Sequence, residues 1–96
     1  MPRNQKLTKV IAGRTINAVT IKPGSVLVLF DDQSSMKIKT GGAAAVSPGS
    51  KVKSVDEAKA EFKIEFEGGS SVTFCLADPG SSVAVRDKNN AVEYLG

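Results

Sequence analysis

Five cations have the type and spacing to grip an anion: Arg14, the pair Lys37 and Lys39, and the pair Lys51 and Lys53. Each Lys-x-Lys pair encloses one core-phase residue, Ile38 or Val52, so along a strand both ammonium groups turn outward. The two pairs flank the segment Thr40-Gly41-Gly42-Ala43-Ala44-Ala45-Val46-Ser47-Pro48-Gly49. Should the strands that carry them be neighbours, four like charges crowd one patch, and a nucleic-acid phosphate or an acidic protein surface would relieve it. The competing account is that edge lysines discourage sheet-to-sheet aggregation.

Other chemistry is absent from the pattern. Acid–base and nucleophilic catalysis want a positioned histidine, a carboxylate pair or an activated nucleophile, and the chain has no histidine. Asp31-Asp32 and Asp78-Pro79-Gly80 read as turns, where Asp bonds its own backbone. Cys75 has nothing nearby in sequence to lower its pKa, and as the sole cysteine it forms no internal disulfide. No loop has calcium-ligand spacing, and Gly-Gly-Ala-Ala-Ala lacks the Gly-Lys-Ser/Thr ending of a phosphate cradle. The expectation is no catalytic residue, no cofactor and no metal. Phe30, Phe62, Phe66 and Phe74 fall on the core phase, there is no Trp, and only Tyr94 is left over, so base stacking is not expected. Any nucleic-acid contact would be to phosphates.

These side chains must be positioned by strands. The clearest segment, 58–67, alternates apolar and charged residues over ten positions, the mark of a strand with one wet face. A helix is the rival reading, through the Ser54-Val55-Asp56-Glu57 capping box, but it would leave Ala60 and Ile64 off the apolar face. Gly68-Gly69 and a second alternating run, Val72, Phe74, Leu76, complete a hairpin. A similar hairpin lies 36 residues upstream, with Val26, Val28 and Phe30 matching Phe62, Ile64 and Phe66. At that offset residues 10–39 match 46–75 with six identities and six similar pairs, including Val10, Gly13, Ile16 and Val19 on Val46, Gly49, Val52 and Val55. The pattern reads as an internal repeat.

Three strands per repeat follow, at about 14–21, 25–31 and 35–40, then 50–57, 58–67 and 70–77. No turn signal separates Val55 from Ala58, so the fourth and fifth strands could be one long bent strand. A closing hairpin occupies 82–96 around Asp87-Lys88-Asn89-Asn90, and Leu7, Val10 and Ile11 before Gly13 predict one or two helical turns over 4–12. Ninety-six residues suffice for one domain over 1–96. The reading is an all-β fold with one short N-terminal helix, a meander barrel or sandwich of six to eight strands. It is built from two three-stranded repeats, about 10–45 and 46–81. Its predicted core is Ile16, Val26, Val28, Phe30, Met36, Ile38, Val52, Phe62, Ile64, Phe66, Val72, Phe74 and Leu76.

The two halves differ in charge and in covering. Residues 1–53 hold nine Lys/Arg against Asp31 and Asp32, for +7, whereas 54–96 hold four against eight acids, for −4. Where the second repeat has Lys63 and Glu65, the first has Leu27 and Leu29, so the strand over 26–30 is apolar on both faces. Its outward leucines need a cover, either the N-terminal Leu7, Val10 and Ile11 or a second copy of the chain. No apolar run is long enough to span a membrane, and no apolar segment follows the N-terminal Arg3 and Lys6 as in a signal peptide, so a cytoplasmic location is expected. The sequence therefore predicts a non-enzymatic binding or assembly module, homodimeric through Leu27 and Leu29, with phosphate-backbone binding by the basic half as the alternative.

Overall fold

Period-two alternation gives each strand one apolar face, and such faces are buried by packing sheet against sheet. In the computed structural model, which describes residues 3–40, 48–78 and 80–96, they do so around one core. The elements are α1 (Gln5–Ile11), β1 (Ile16–Lys22), β2 (Ser25–Phe30), β3 (Ser35–Lys39), β4 (Val52–Ala58), β5 (Glu61–Phe66), β6 (Ser71–Cys75), β7 (Val83–Arg86) and β8 (Val92–Leu95). All strand pairs are antiparallel. One sheet has the order β1-β2-β3-β7-β8 and the other β4-β5-β6. The sheets do not close into a barrel, and the fold is sandwich-like.

Every residue of the predicted core is buried, joined by Leu7, Ile11, Val55, Val83 and Val85. Phe62 and Phe74 meet at the centre with ring centroids 6.4 Å apart. The two meanders share their registers at the 36-residue offset. Ile16 faces Phe30 as Val52 faces Phe66, with the same irregularity immediately after, and Ser25 faces Lys39 as Glu61 faces Cys75. The sheets touch where a residue meets the position 36 further on: Thr15 bridges Lys51, and Thr40 bridges Leu76. Gly13 N–H donates to Val52 O (2.8 Å) and Gly49 N–H to Ile16 O (2.6 Å) in the same symmetric way.

The predicted helix forms, with the Asn4 side chain accepting from Leu7 N–H (3.0 Å) as N-cap and Gly13 at φ 89 beyond the C-cap. The fourth and fifth strands are two strands and not one bent one, joined by Lys59 and Ala60, with Lys59 taking the left-handed conformation (φ 54) that a glycine usually supplies. Two expectations are corrected. The helix does not cover the leucines, because α1 packs on β4 and β8 and sends Leu7 and Ile11 into the core. Tyr94 is not left over: it packs against the core, and its hydroxyl accepts from Asn4 Nδ2 (2.9 Å). The Gly-Gly-Ala-Ala-Ala segment, the repeat match at Val46 and the proline of the 78–80 turn lie outside the described residues.

Candidate functional site

Registers decide which side chains share a surface. Across the five-stranded sheet Thr20, Leu27, Lys37, Ala84 and Leu95 are successive partners and form one row. Ala18, Leu29, Ser35, Arg86 and Val92 form the next. Residues alternate between the faces, and Val26, Val28, Met36, Ile38 and Val85 fill the core, so both rows face outward. Leu27 is half-buried and Leu29 is 36% exposed, while Val92 and Leu95 are exposed at 47% and 65%. Lys37 and Lys39 are exposed and make no ion pair among the described residues. They line a groove of about 350 Å³ with Ser82, Val83, Ala84 and Leu95. The groove floor is therefore apolar and its rim cationic.

Only one acidic residue lies in the five strands, Glu93, and it is already held. Arg14 Nη1 and Nη2 donate to the two Glu93 carboxylate oxygens at 2.9 and 3.0 Å. The same guanidinium donates to Ser34 Oγ (2.9 Å), lies 3.4 Å from Asp32 Oδ2 and sits over the Phe30 ring, 5.8 Å from its centroid. The Glu93 hydrogen bonds, opposed by burial, raise the Arg14 pKa above its ordinary value. For Asp32 burial pushes the carboxyl upward, but bonds from the Ser34 hydroxyl and N–H, helped by Arg14, bring it net below the usual 3.8.

The five predicted cations are thus divided. Lys37 and Lys39 stand together beside the groove. Lys53 lies in β4 of the other sheet and Lys51 just before it, at the bridge to Thr15, and β3 pairs with β2 and β7 and not with β4. Lys51 Nζ lies 3.5 Å from Glu67 Oε2. Lys53 lines a cleft with Lys63 and Glu65, where the Lys63 hydrogen bond, followed by one from Ser54, holds the Glu65 carboxyl below its ordinary range. The condition for a four-lysine patch, that β3 and β4 be neighbours in a sheet, is not met. Three contributors to the outer face carried no local signal in the sequence: Ala84, Arg86 and Leu95 enter it only because β7 pairs with β3 across more than forty residues.

The outer face of the three-stranded sheet is different in kind. Each of its rows carries a carboxylate: Asp56-Lys63-Thr73, Ser54-Glu65-Ser71 and Ala58-Glu61-Cys75. Among the described residues no group of three His, Cys, Asp or Glu side chains is placed to hold a metal ion, and no helix is long and apolar enough to cross a membrane. Comparison with protein-family models, curated proteins and solved structures finds no match.

Proposed function

We propose that this chain is a non-enzymatic binding module whose working surface is the outer face of the five-stranded sheet, and that this face takes an acidic protein surface with apolar side chains. The observation that carries the reading is the combination on the two outward rows and on Lys39, which faces Ser25 in the row beyond them. Leu27, Leu29, Ala84 and Leu95 lie beside Lys37, Lys39 and Arg86, and the sole carboxylate of those strands is bound by Arg14. Apolar groups rimmed by unneutralised cations fit a partner that brings both apolar contact and negative charge. An isologous contact of this face with itself would set its lysines near like charges, which favours a different molecule there over a second copy.

The test is an NMR titration of the labelled protein with polyglutamate and, in parallel, with a peptide alternating Glu and Leu. The amides of Leu27, Lys37, Ala84 and Leu95 are expected to shift most with the Glu-Leu peptide, and the double variant Lys37→Glu, Lys39→Glu to abolish the shifts. Shifts confined to β4, β5 and β6, or none at low salt, would sink the reading.

A second reading, phosphate-backbone binding, is favoured by one specific observation: Lys37 and Lys39 have no ionic partner among the described residues. It predicts affinity for a duplex oligonucleotide falling with salt, at a log–log slope of roughly −2.7 for three phosphate contacts. Binding of polyglutamate alone as tightly as the oligonucleotide would count against it.

A further inference from the structure

We infer that Ser25, with Lys22, Lys39 and Lys37 around it, is a phosphoryl-binding site, and that the partner it takes there is a phosphorylated peptide. This rests on the outer face of the five-stranded sheet being the working surface, and specifies which group of the partner one corner of that face holds.

Lys22 faces Ser25 across β1 and β2, and Ser25 faces Lys39 across β2 and β3, so the three form one row. Ser25 precedes the core residue Val26, and Lys39 follows the core residue Ile38. The row therefore points outward, beside the row that holds Leu27 and Lys37. Directly opposed side chains stand about 5 Å apart at Cβ and diagonal ones about 7–8 Å, still within reach of a long side chain. Lys22 and Lys39 thus flank the Ser25 hydroxyl from either side, and Lys37 reaches it from the diagonal. All three lysines are exposed. Among the described residues none of them has an ion pair, and Ser25 makes no side-chain hydrogen bond. All ten acidic residues of the chain are described ones, and none pairs with this row.

The fold does not require this charge. Lysines blunt the outer strands of sheets, but β3 is the middle strand of five and β2 lies beside it. At the 36-residue offset the second meander keeps the register, with Ala58-Glu61-Cys75 in place of Lys22-Ser25-Lys39 and Thr73 in place of Lys37. The same backbone grid carries three cations in one half and a single carboxylate in the other. Like charges side by side on a sheet face are destabilising, and a bound anion offsets that cost.

The number and kind of donors choose the anion. A carboxylate brings one charge and two oxygens, which one or two lysines satisfy. A phosphoryl group brings close to two charges at neutral pH and three acceptor oxygens, which match three ammonium groups with a hydroxyl among them. Leu27 and Leu29 continue along β2 from Ser25 on the same face, so whatever carries the phosphate also meets apolar side chains. A peptide with a phosphoserine beside apolar residues supplies both. A nucleic-acid backbone brings a phosphate at every step and no apolar group for the leucines.

NMR titration of the labelled full chain tests this with two probes, the alternating Glu-Leu peptide and the same peptide with one Glu replaced by phosphoserine. The phosphoserine peptide is expected to bind about ten-fold more tightly and to shift the amides of Lys22, Ser25 and Lys39 most. Lys22→Ala is expected to remove most of that preference. Ser25→Glu should abolish it with the fold retained, because the second meander holds Glu61 at the equivalent position. Equal affinity for the two peptides, in a wild type that binds both, overturns the inference and leaves the binding face intact, whereas no binding of either removes both. A folded Lys22→Ala or Ser25→Glu that keeps the full preference also overturns it. So does inorganic phosphate bound as tightly as the phosphoserine peptide, which would mark a site for the free ion. A duplex oligonucleotide bound more tightly than that peptide, with the same three amides shifted, would assign the site to nucleic acid instead.

Discussion

The guanidinium of Arg14 is committed before any partner arrives. Both Glu93 oxygens, Ser34 and Asp32 surround it, and the Phe30 ring lies against it. A bidentate carboxylate pair satisfies the fork geometry that would otherwise recognise a phosphate. The residue that looks most suited to an anion by charge is thus part of the scaffold, and the exposed Lys37 and Lys39 are better placed to meet one. The same cluster gives a pH dependence. The Asp32 carboxyl titrates below its ordinary value in the folded protein, so the stability it contributes is present above the unfolded pKa and is lost as pH falls through the folded one. Between about pH 5 and about pH 2, wild type should therefore lose more stability than Asp32→Asn, whose side chain does not titrate. Urea denaturation at a series of pH values checks this, and parallel curves for the two proteins would refute it.

Among the elements, Lys59 takes a backbone conformation at odds with its type, as Gln33 does at φ 70 in the turn between β2 and β3. It turns the chain from β4 into β5 at φ 54, whereas the equivalent connection between β1 and β2 uses Pro23-Gly24 with Gly24 at φ 80. An L-residue there bears a steric cost of about 1–2 kcal/mol, partly offset in a glycine variant by the greater freedom of its unfolded chain. Lys59→Gly should therefore stabilise the protein by about 0.5–1 kcal/mol, raising Tm by a few degrees. A melting curve at or below that of wild type would show the turn to be relaxed. This turn was illegible in the sequence for the same reason: it contains none of the residues that announce a reversal. The hairpins around Asp31-Asp32 and Gly68-Gly69 were legible because alternation and turn chemistry are local, and the inward phase of Phe62, Ile64 and Phe66 followed from period two alone. What local pattern could not supply was the partner of β3. Nothing around Val83 and Val85 points to Met36 and Ile38, and the face that joins Lys37 to Leu95 depends on that pairing. The bond between Arg14 and Glu93, 79 positions apart, was hidden in the same way.

For the molecule as a whole, the opposed charges of the two halves resolve into contacts within the chain. Three ion pairs run from the basic half to the acidic half, Arg3–Asp56, Arg14–Glu93 and Lys51–Glu67. Each is at least partly solvent-exposed and contributes little to stability singly, so they act more on the choice of chain arrangement than on its free energy. The stronger tie between the sheets is α1. Its Leu7 and Ile11 are buried in a core drawn from both sheets, its body packs on β4 and β8, and Asn4 Nδ2 donates to Glu57 Oε1 (3.1 Å) and to Tyr94 on opposite sides. Asn4 N–H also donates to Val55 O (2.8 Å), and the Thr8 hydroxyl accepts from Val55 N–H (3.0 Å), so the segment satisfies backbone groups at the outer edge of β4. A clasp of this kind predicts that the two sheets unfold together. Leu7→Ala removes a fully buried side chain and should cost about 2–5 kcal/mol, a large share of the 5–15 kcal/mol typical of a small domain. Amide hydrogen exchange read by NMR separates the sheets, through Ile64 in the middle of the smaller one and Val28 and Met36 in the larger. If the core is a single cooperative unit, protection in both falls by the same free energy in Leu7→Ala. A loss confined to β4, β5 and β6, with Val28 and Met36 unchanged, would mean that the five-stranded sheet folds on its own and that α1 serves only the smaller sheet.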